Sequence, residues 1–172
     1  MTVVAIRSLL PGHRISSTYC RVVDKLHEAV INETSQTVLY AGRYNPKGEF
    51  AVLYLAARPE CGYREVMQRV GNKEHLLKPR IVGTFEVQLT RCLDLINEES
   101  RRVLEVTLED LTTLGQYKIT QAIAREARAI GFEAVLAPSA VGKDCHNLVV
   151  FNDRLDSGSS CRLVPKSVRS YP

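Results

Sequence analysis

Ala51-Val52-Leu53-Tyr54-Leu55-Ala56-Ala57 is a near-continuous apolar run, followed by Arg58-Pro59 and then by Tyr63, Val66, Met67 and Val70 before Gly71. A short apolar run of this kind predicts a strand covered on both faces, in the centre of a sheet. Proline suits the first turn of a helix and glycine its end, and the four apolar residues recur at helical spacing. The next segment is therefore predicted to be a helix, and Glu65 falls on it.

Upstream, Asn45-Pro46-Lys47-Gly48 is turn chemistry: the residue before proline is held extended, and glycine supplies a positive φ just afterwards. Thr18-Tyr19-Cys20-Arg21-Val22-Val23 is rich in β-branched and aromatic residues and follows a polar loop with Pro11-Gly12, so it is predicted to be a strand containing Arg21. Downstream, Ile81–Leu89 alternates in its second half, and Cys92–Leu95 is expected to continue it after a bend. Thr107-Leu108-Glu109-Asp110 has the pattern of a capping box and predicts a short helix ending near Gly115, with Leu108, Leu111 and Leu114 facing inward.

Thr120–Ile130, stopped by Gly131, is the clearest helix. Glu133–Ala137 and Asn147–Phe151 are predicted strands around a loop containing Pro138, Ser139, Gly142 and Lys143. Ser157-Gly158-Ser159-Ser160 is a predicted loop before a last short strand around Leu163. The expected fold class is mixed α/β (α+β), one domain over residues 1–172, without repeat or linker.

With 172 residues, of which 45% are hydrophobic, the chain is long enough to bury one core. Met1-Thr2-Val3-Val4-Ala5-Ile6-Arg7 is too short and too soon charged for a signal peptide, and no apolar run approaches membrane-spanning length, so a cytoplasmic location is expected. The formal charge of +4 is spread among nearly as many carboxylates, which argues against a polyanion-binding tail. Cys20, Cys61, Cys92, Cys145 and Cys161 are odd in number and scattered, without a Cys-x-x-Cys pair, and are expected to be free thiols. His13, His27 and His75 stand alone in polar surroundings, and no metal site is expected.

Tyr19-Cys20-Arg21, Ala41-Gly42-Arg43-Tyr44-Asn45-Pro46-Lys47-Gly48 and Val52-Leu53-Tyr54-Leu55-Ala56 follow one another in order. Glu65, Thr120-Gln121-Ala122-Ile123-Ala124, Gly131-Phe132-Glu133, Ala137-Pro138-Ser139-Ala140 and Asn147-Leu148-Val149-Val150-Phe151 continue the series. In this order the chain resembles the RES-domain family, and equal steps of eleven residues separate Arg43, Tyr54 and Glu65. The loop departs from the family's usual Gly-Gly-Arg-Trp-Asn at Ala41 and Tyr44, and Tyr44 keeps an aromatic face.

The resemblance implies the toxin half of a toxin–antitoxin pair, a fold similar to that of ADP-ribosyltransferases, and degradation of NAD as substrate. It also implies an Xre-type antitoxin that covers the active site and, through its helix-turn-helix module, links the toxin to DNA. The residues it points to are Glu65, Arg43 and Tyr54 as the catalytic set, with Arg21, Tyr44, Ser139 and Asn147 binding substrate.

Cleavage of the nicotinamide–ribose bond leaves positive charge on the sugar, so a fixed carboxylate such as Glu65 suits that position. Guanidinium groups such as Arg21 and Arg43 match a pyrophosphate. Tyr54 offers an aromatic surface and a hydroxyl, and Ser139 and Asn147 offer short polar groups. Helical periodicity taken alone gives Glu65 a different role, a solvated ion pair with Arg69 four residues on. Tyr54 taken alone is a core residue with its hydroxyl satisfied. Transfer of ADP-ribose to a cellular protein would use the same donor site, and a non-enzymatic binding module stands as a third reading, recognisable by salt-dependent nucleic-acid binding.

Overall fold

The computed structural model describes residues 3–172; Met1 and Thr2, part of the N-terminal stretch weighed as a leader, lie outside them. In chain order the elements are α1 (Val3–Arg7), β1 (His13–Asp24), β2 (Leu53–Ala56), α2 (Pro59–Arg69), β3 (Arg80–Asp94), α3 (Glu98–Leu104), α4 (Leu108–Thr112), α5 (Lys118–Ile130), β4 (Ala134–Pro138), β5 (His146–Val150), β6 (Ser160–Leu163) and β7 (Arg169–Tyr171). The fold is mixed α/β, as expected from the sequence.

β1 runs antiparallel to β3, from Ile15 opposite Leu89 to Asp24 opposite Arg80, and touches β2 at Cys20 opposite Ala56. β2 pairs with β5 and β5 with β4, both antiparallel, and β4 lies parallel to the end of β3. The pairings therefore return to their start and close a ring of five strands, to which β6 and β7 add along β3. Closure leaves these five strands with few free edges.

β2 alternates between two cores, which is why its sequence is apolar throughout. Leu53 and Leu55 join Phe85, Val87, Leu89, Leu148 and Val150 on one face. On the other face Tyr54 packs against a cluster in which Ile6, Leu104, Leu111, Ile123 and Ala127 of the helices meet Val135, Ala137 and Val149. A third, smaller group lies under α2, where Cys61 meets Cys20, Ala56 and Val82.

α5 forms because Ile123, Ala124 and Ala127 fall on one face. It stops at Gly131, whose φ of +102° is a conformation other residues adopt at a cost.

The expectations for α4 and for the cysteines are corrected, and the bend expected in β3 is located. The bend between Leu89 and Cys92 does not break the strand: β3 is continuous over Arg80–Asp94. It takes the form of a bulge in β3 itself, where Thr90 and Arg91 together stand opposite Arg14 of β1, between the pairs Leu89–Ile15 and Cys92–His13. The buried Glu133 carboxylate secures β3 there by accepting Thr90 N–H at 2.8 Å and Arg91 N–H at 3.0 Å. α4 ends at Thr112 rather than near Gly115, so only Leu111 faces inward, while Leu108 is 46% and Leu114 57% exposed.

α1, α3 and β7 were not anticipated. α3 carried a readable signal, since Asn97 caps it by accepting Glu99 N–H and Ser100 N–H. The cysteines are the other correction. Cys61 and Cys145 form a disulfide across 84 residues, and only Cys20, Cys92 and Cys161 are free. A pairing between a helix and a distant loop leaves no spacing signal in the sequence.

Candidate functional site

The loop of residues 42–45 is held from every side. Asn45, 1% exposed, donates through Nδ2 to the carbonyls of Thr37 (2.7 Å) and Tyr40 (2.8 Å). Its Oδ1 accepts from the Tyr54 hydroxyl at 2.7 Å, and the same hydroxyl accepts Tyr44 N–H at 2.9 Å. Gln121 and Thr120 of α5 donate to the carbonyls of Gly42 (2.8 Å) and Arg43 (2.5 Å). A Cβ at Gly42 would stand 2.3 Å from Asn45 Oδ1 and 2.6 Å from Tyr54 Oη, so only glycine lets the two side chains meet there.

Arg43 turns away from this loop toward the end of α4. Its guanidinium donates to the carbonyls of Leu111 (2.9 Å), Thr112 (3.2 Å) and Thr113 (2.9 Å), and lies 5.0 Å from the centre of the Tyr117 ring. The last carbonyls of a helix have no partner within it, and a cation there is favoured by the helix dipole. Arg43 thus ties the loop to α4 and α5.

Glu65 stands on the second turn of α2. Its Oε1 accepts from Ser139 Oγ at 2.5 Å and from Asn147 Nδ2 at 2.7 Å, so two residues 74 and 82 positions further along the chain converge on one carboxylate oxygen. Ser139 is presented just past the end of β4 and accepts Val141 N–H at 3.3 Å, while Asn147 is the second residue of β5. Among the described residues, Oε2 has no hydrogen-bond partner, and no ion pair joins Glu65 to Arg69. Periodicity alone had paired those two; the fold instead turns Glu65 toward β4 and β5.

Tyr54 and Asn147 share a sheet face. Tyr54 lies opposite Val149, two residues after Asn147 on β5, and side chains two apart along a strand point the same way. Burial pushes the Tyr54 phenol well above its ordinary pKa, and the hydroxyl serves as a neutral donor and acceptor.

Arg21 donates to the carbonyls of Ile31 (2.7 Å) and Glu33 (3.0 Å). Burial, and then the neighbouring charge of Arg69, hold its pKa below the usual arginine value. Arg69 also acts on Tyr54. Neither arginine pairs with a carboxylate among the described residues, so positive potential accumulates beside Tyr54 and α2. Arg69 is a member of this neighbourhood that the sequence assigned elsewhere.

The structure therefore brings Glu65, Ser139 and Asn147 into direct contact and places Tyr54 on their side of the sheet. Arg43 and Tyr54 meet through the loop backbone. Tyr44 departs from expectation: it is 2% exposed, packed in the helical core, and its hydroxyl is buried without a hydrogen-bond partner among the described residues. The loop contributes its backbone N–H to Tyr54 rather than an aromatic face to a ligand. Asn45 and Gln121 were missed as organisers of the loop, although both stood in stretches that carried the resemblance.

A family model described as "RES domain" matches residues 18–171, which include every one of these residues. The chain belongs to the RES-domain family. This RES domain is 37% identical over 112 residues to "Probable NAD(+) phosphorylase Rv3189" of Mycobacterium tuberculosis (strain ATCC 25618 / H37Rv), an alignment covering 64% of this chain and 53% of that protein. It thus spans about half the length of that curated relative.

Its fold matches a chain of the crystal structure of the M. tuberculosis MbcT-MbcA toxin-antitoxin complex, with a TM-score of 0.75 at 20% identity over 98% of this chain and 91% of that one. Among the described residues of the RES domain, no helix is long and apolar enough to cross a membrane. Nor does any group of three His, Cys, Asp or Glu side chains among them converge as a metal ion would require.

Proposed function

We propose that this chain breaks the bond between nicotinamide and ribose in NAD and is the toxin half of a toxin–antitoxin pair. The observation that carries the reading is the Glu65 carboxylate. One of its oxygens is fixed by Ser139 and Asn147, and the other has no hydrogen-bond partner among the described residues. As nicotinamide departs with the bonding electron pair, the ribose C1′ gains positive charge, which a preorganised carboxylate stabilises. The new bond at C1′ comes from an oxygen of water or of inorganic phosphate, giving ADP-ribose or its 1″-phosphate.

Holding Oε1 in two hydrogen bonds fixes where Oε2 lies, so little reorganisation is needed at the moment of reaction. The guanidinium groups of Arg21 and Arg69, unpaired with carboxylates among the described residues, suit the pyrophosphate of NAD or an incoming phosphate. Phosphate as acceptor is favoured by the relative named as an NAD(+) phosphorylase. The fold shared with a chain of a toxin–antitoxin complex supports an antitoxin partner, for which an Xre-type protein covering the site is our assignment.

The test is nicotinamide release from NAD by the purified chain, with and without phosphate, beside Glu65→Gln. The parent is expected to release nicotinamide, and Glu65→Gln to fall by roughly 10²–10³ in kcat, the loss typical when a transition-state stabilising group is removed. Absence of release by the parent under both conditions would overturn the proposal. Growth arrest on expression, relieved by the antitoxin gene, tests the toxin role separately.

A further inference from the structure

Cys61 precedes Glu65 by one turn of α2, and Cys145 precedes Asn147 by two residues at the start of β5. Cys61 and Cys145 are bonded through their sulfurs, and Glu65 and Asn147 through a hydrogen bond of 2.7 Å. The same two segments are thus joined twice in parallel, once covalently and once at the carboxylate. Residues four apart on a helix lie on one face, so the two links stand side by side.

Asp144 adds a weaker tie, taking Arg58 at 2.9 Å and Arg64 at 3.1 Å from the start of α2. These side chains are about half exposed, where ion pairs hold little. Cys61 and Cys145 are 0% and 3% exposed, so the covalent tie is the firm one and sits in the packed layer beneath α2.

We propose that the Cys61–Cys145 disulfide is a positioning element for Glu65 and makes the chemistry at that carboxylate redox-dependent, the oxidised chain being the more active. This rests on the proposed NAD cleavage for its kinetic readout only. A dithiol such as dithiothreitol supplies two electrons: the S–S bond breaks, each sulfur takes a proton, and the dithiol closes into its own disulfide. Two thiols cannot approach as closely as two bonded sulfurs, so α2 and the start of β5 move apart at that point. A hydrogen bond weakens over a few tenths of an ångström, and Glu65 Oε1 loses its fixed contact with Asn147.

The purified full chain, either air-oxidised or reduced with dithiothreitol, is alkylated under denaturing conditions and weighed. Labelling of Cys20, Cys92 and Cys161 alone marks the disulfide form, and labelling of every cysteine marks the reduced one. In parallel, kcat for nicotinamide release and the ¹³C resonance of the Glu65 carboxyl are followed at a temperature well below unfolding. Reduction is expected to lower kcat about tenfold or more, the effect of losing one hydrogen bond to a charged group, and to move the resonance.

The chain carrying both Cys61→Ser and Cys145→Ser is expected to show the lowered kcat without response to reductant, whereas Cys161→Ala keeps the response. If the double variant does not fold, the redox pair of the parent decides alone. A cross-link that only stabilises the fold would lower Tm on reduction yet leave kcat and the resonance unmoved, and that result overturns the proposal. So does labelling of every cysteine after oxidation. If neither form releases nicotinamide, the NAD reading falls, and the carboxyl resonance by itself decides whether the disulfide positions Glu65.

Discussion

The Tyr54 hydroxyl donates to Asn45 Oδ1 at 2.7 Å, one of the two contacts by which it fastens the loop of residues 42–45 to β2. Because the same hydroxyl accepts Tyr44 N–H, Tyr54→Phe leaves one acceptor and one donor without partners in a buried place. A loss of about 1–3 kcal/mol in stability is expected from each such orphaned group, less any relaxation. Urea unfolding measures it; an unchanged midpoint would show that the loop does not depend on this hydroxyl.

Tyr44 makes the opposite case. Its hydroxyl is buried without a partner among the described residues, in a cluster of apolar side chains. Tyr44→Phe removes an unpaired polar group while keeping the ring, and is expected to leave the chain as stable or more so by about 1 kcal/mol. KM for NAD should stay at the parental value. A rise in KM with unaltered stability would restore Tyr44 to the substrate-binding set.

Arg43 gives a third prediction, because its guanidinium serves three carbonyls at the end of α4 and stacks on Tyr117. Lysine keeps the charge but lacks the planar fork. Arg43→Lys is expected to lower stability by about 1–3 kcal/mol and to lower activity with it, since the loop carrying Tyr44 N–H and Asn45 loses its tie. Calorimetry beside nicotinamide release checks this. Full stability with lost activity would instead assign Arg43 a direct contact with substrate.

Glu133 provides the pH dependence. Burial alone raises a carboxyl's pKa, but the backbone N–H groups of Asp156, Thr90 and Arg91 that donate to Glu133 outweigh it, and the pKa is lowered. A depressed folded pKa means that this stabilisation is complete above the unfolded value of about 4.3 and is lost as pH falls through the folded one. Glu133→Gln is expected to be less stable at pH 7 and to show a shallower decline in acid. Parallel stability curves for parent and variant between neutral and acid pH would count against it.

Local chemistry made much of the architecture legible. The apolar run around Tyr54, Pro59 at the first position of α2, the Thr107–Asp110 capping box and Gly131 after α5 each act within a few residues, so the chain alone determines them. The same holds for the turn at Asn45–Gly48, where Gly48 has a φ of +81°. Where an element depends on a distant partner, local reading failed. The form of the expected bend in β3, a bulge whose two N–H groups the Glu133 carboxylate takes, was not legible, and α4 stops early with Arg43 on its last carbonyls.

By itself, then, the sequence determined most of the strands and helices, though not α1, α3 or β7, and, through an ordered set of short motifs, the family to which the chain belongs. Tertiary structure decided what each side chain does. On helical spacing Glu65 belongs with Arg69; in the fold it belongs with Ser139, just past the end of β4, and with Asn147 of β5. Tyr44 went to the core, and Cys61 found Cys145 across 84 residues. The physical reason is one of range: dihedral preference and periodicity act over a turn or two of chain, whereas a hydrogen bond or disulfide needs two groups at a few ångströms, and strand pairing together with the packing of α2 on the sheet sets that distance.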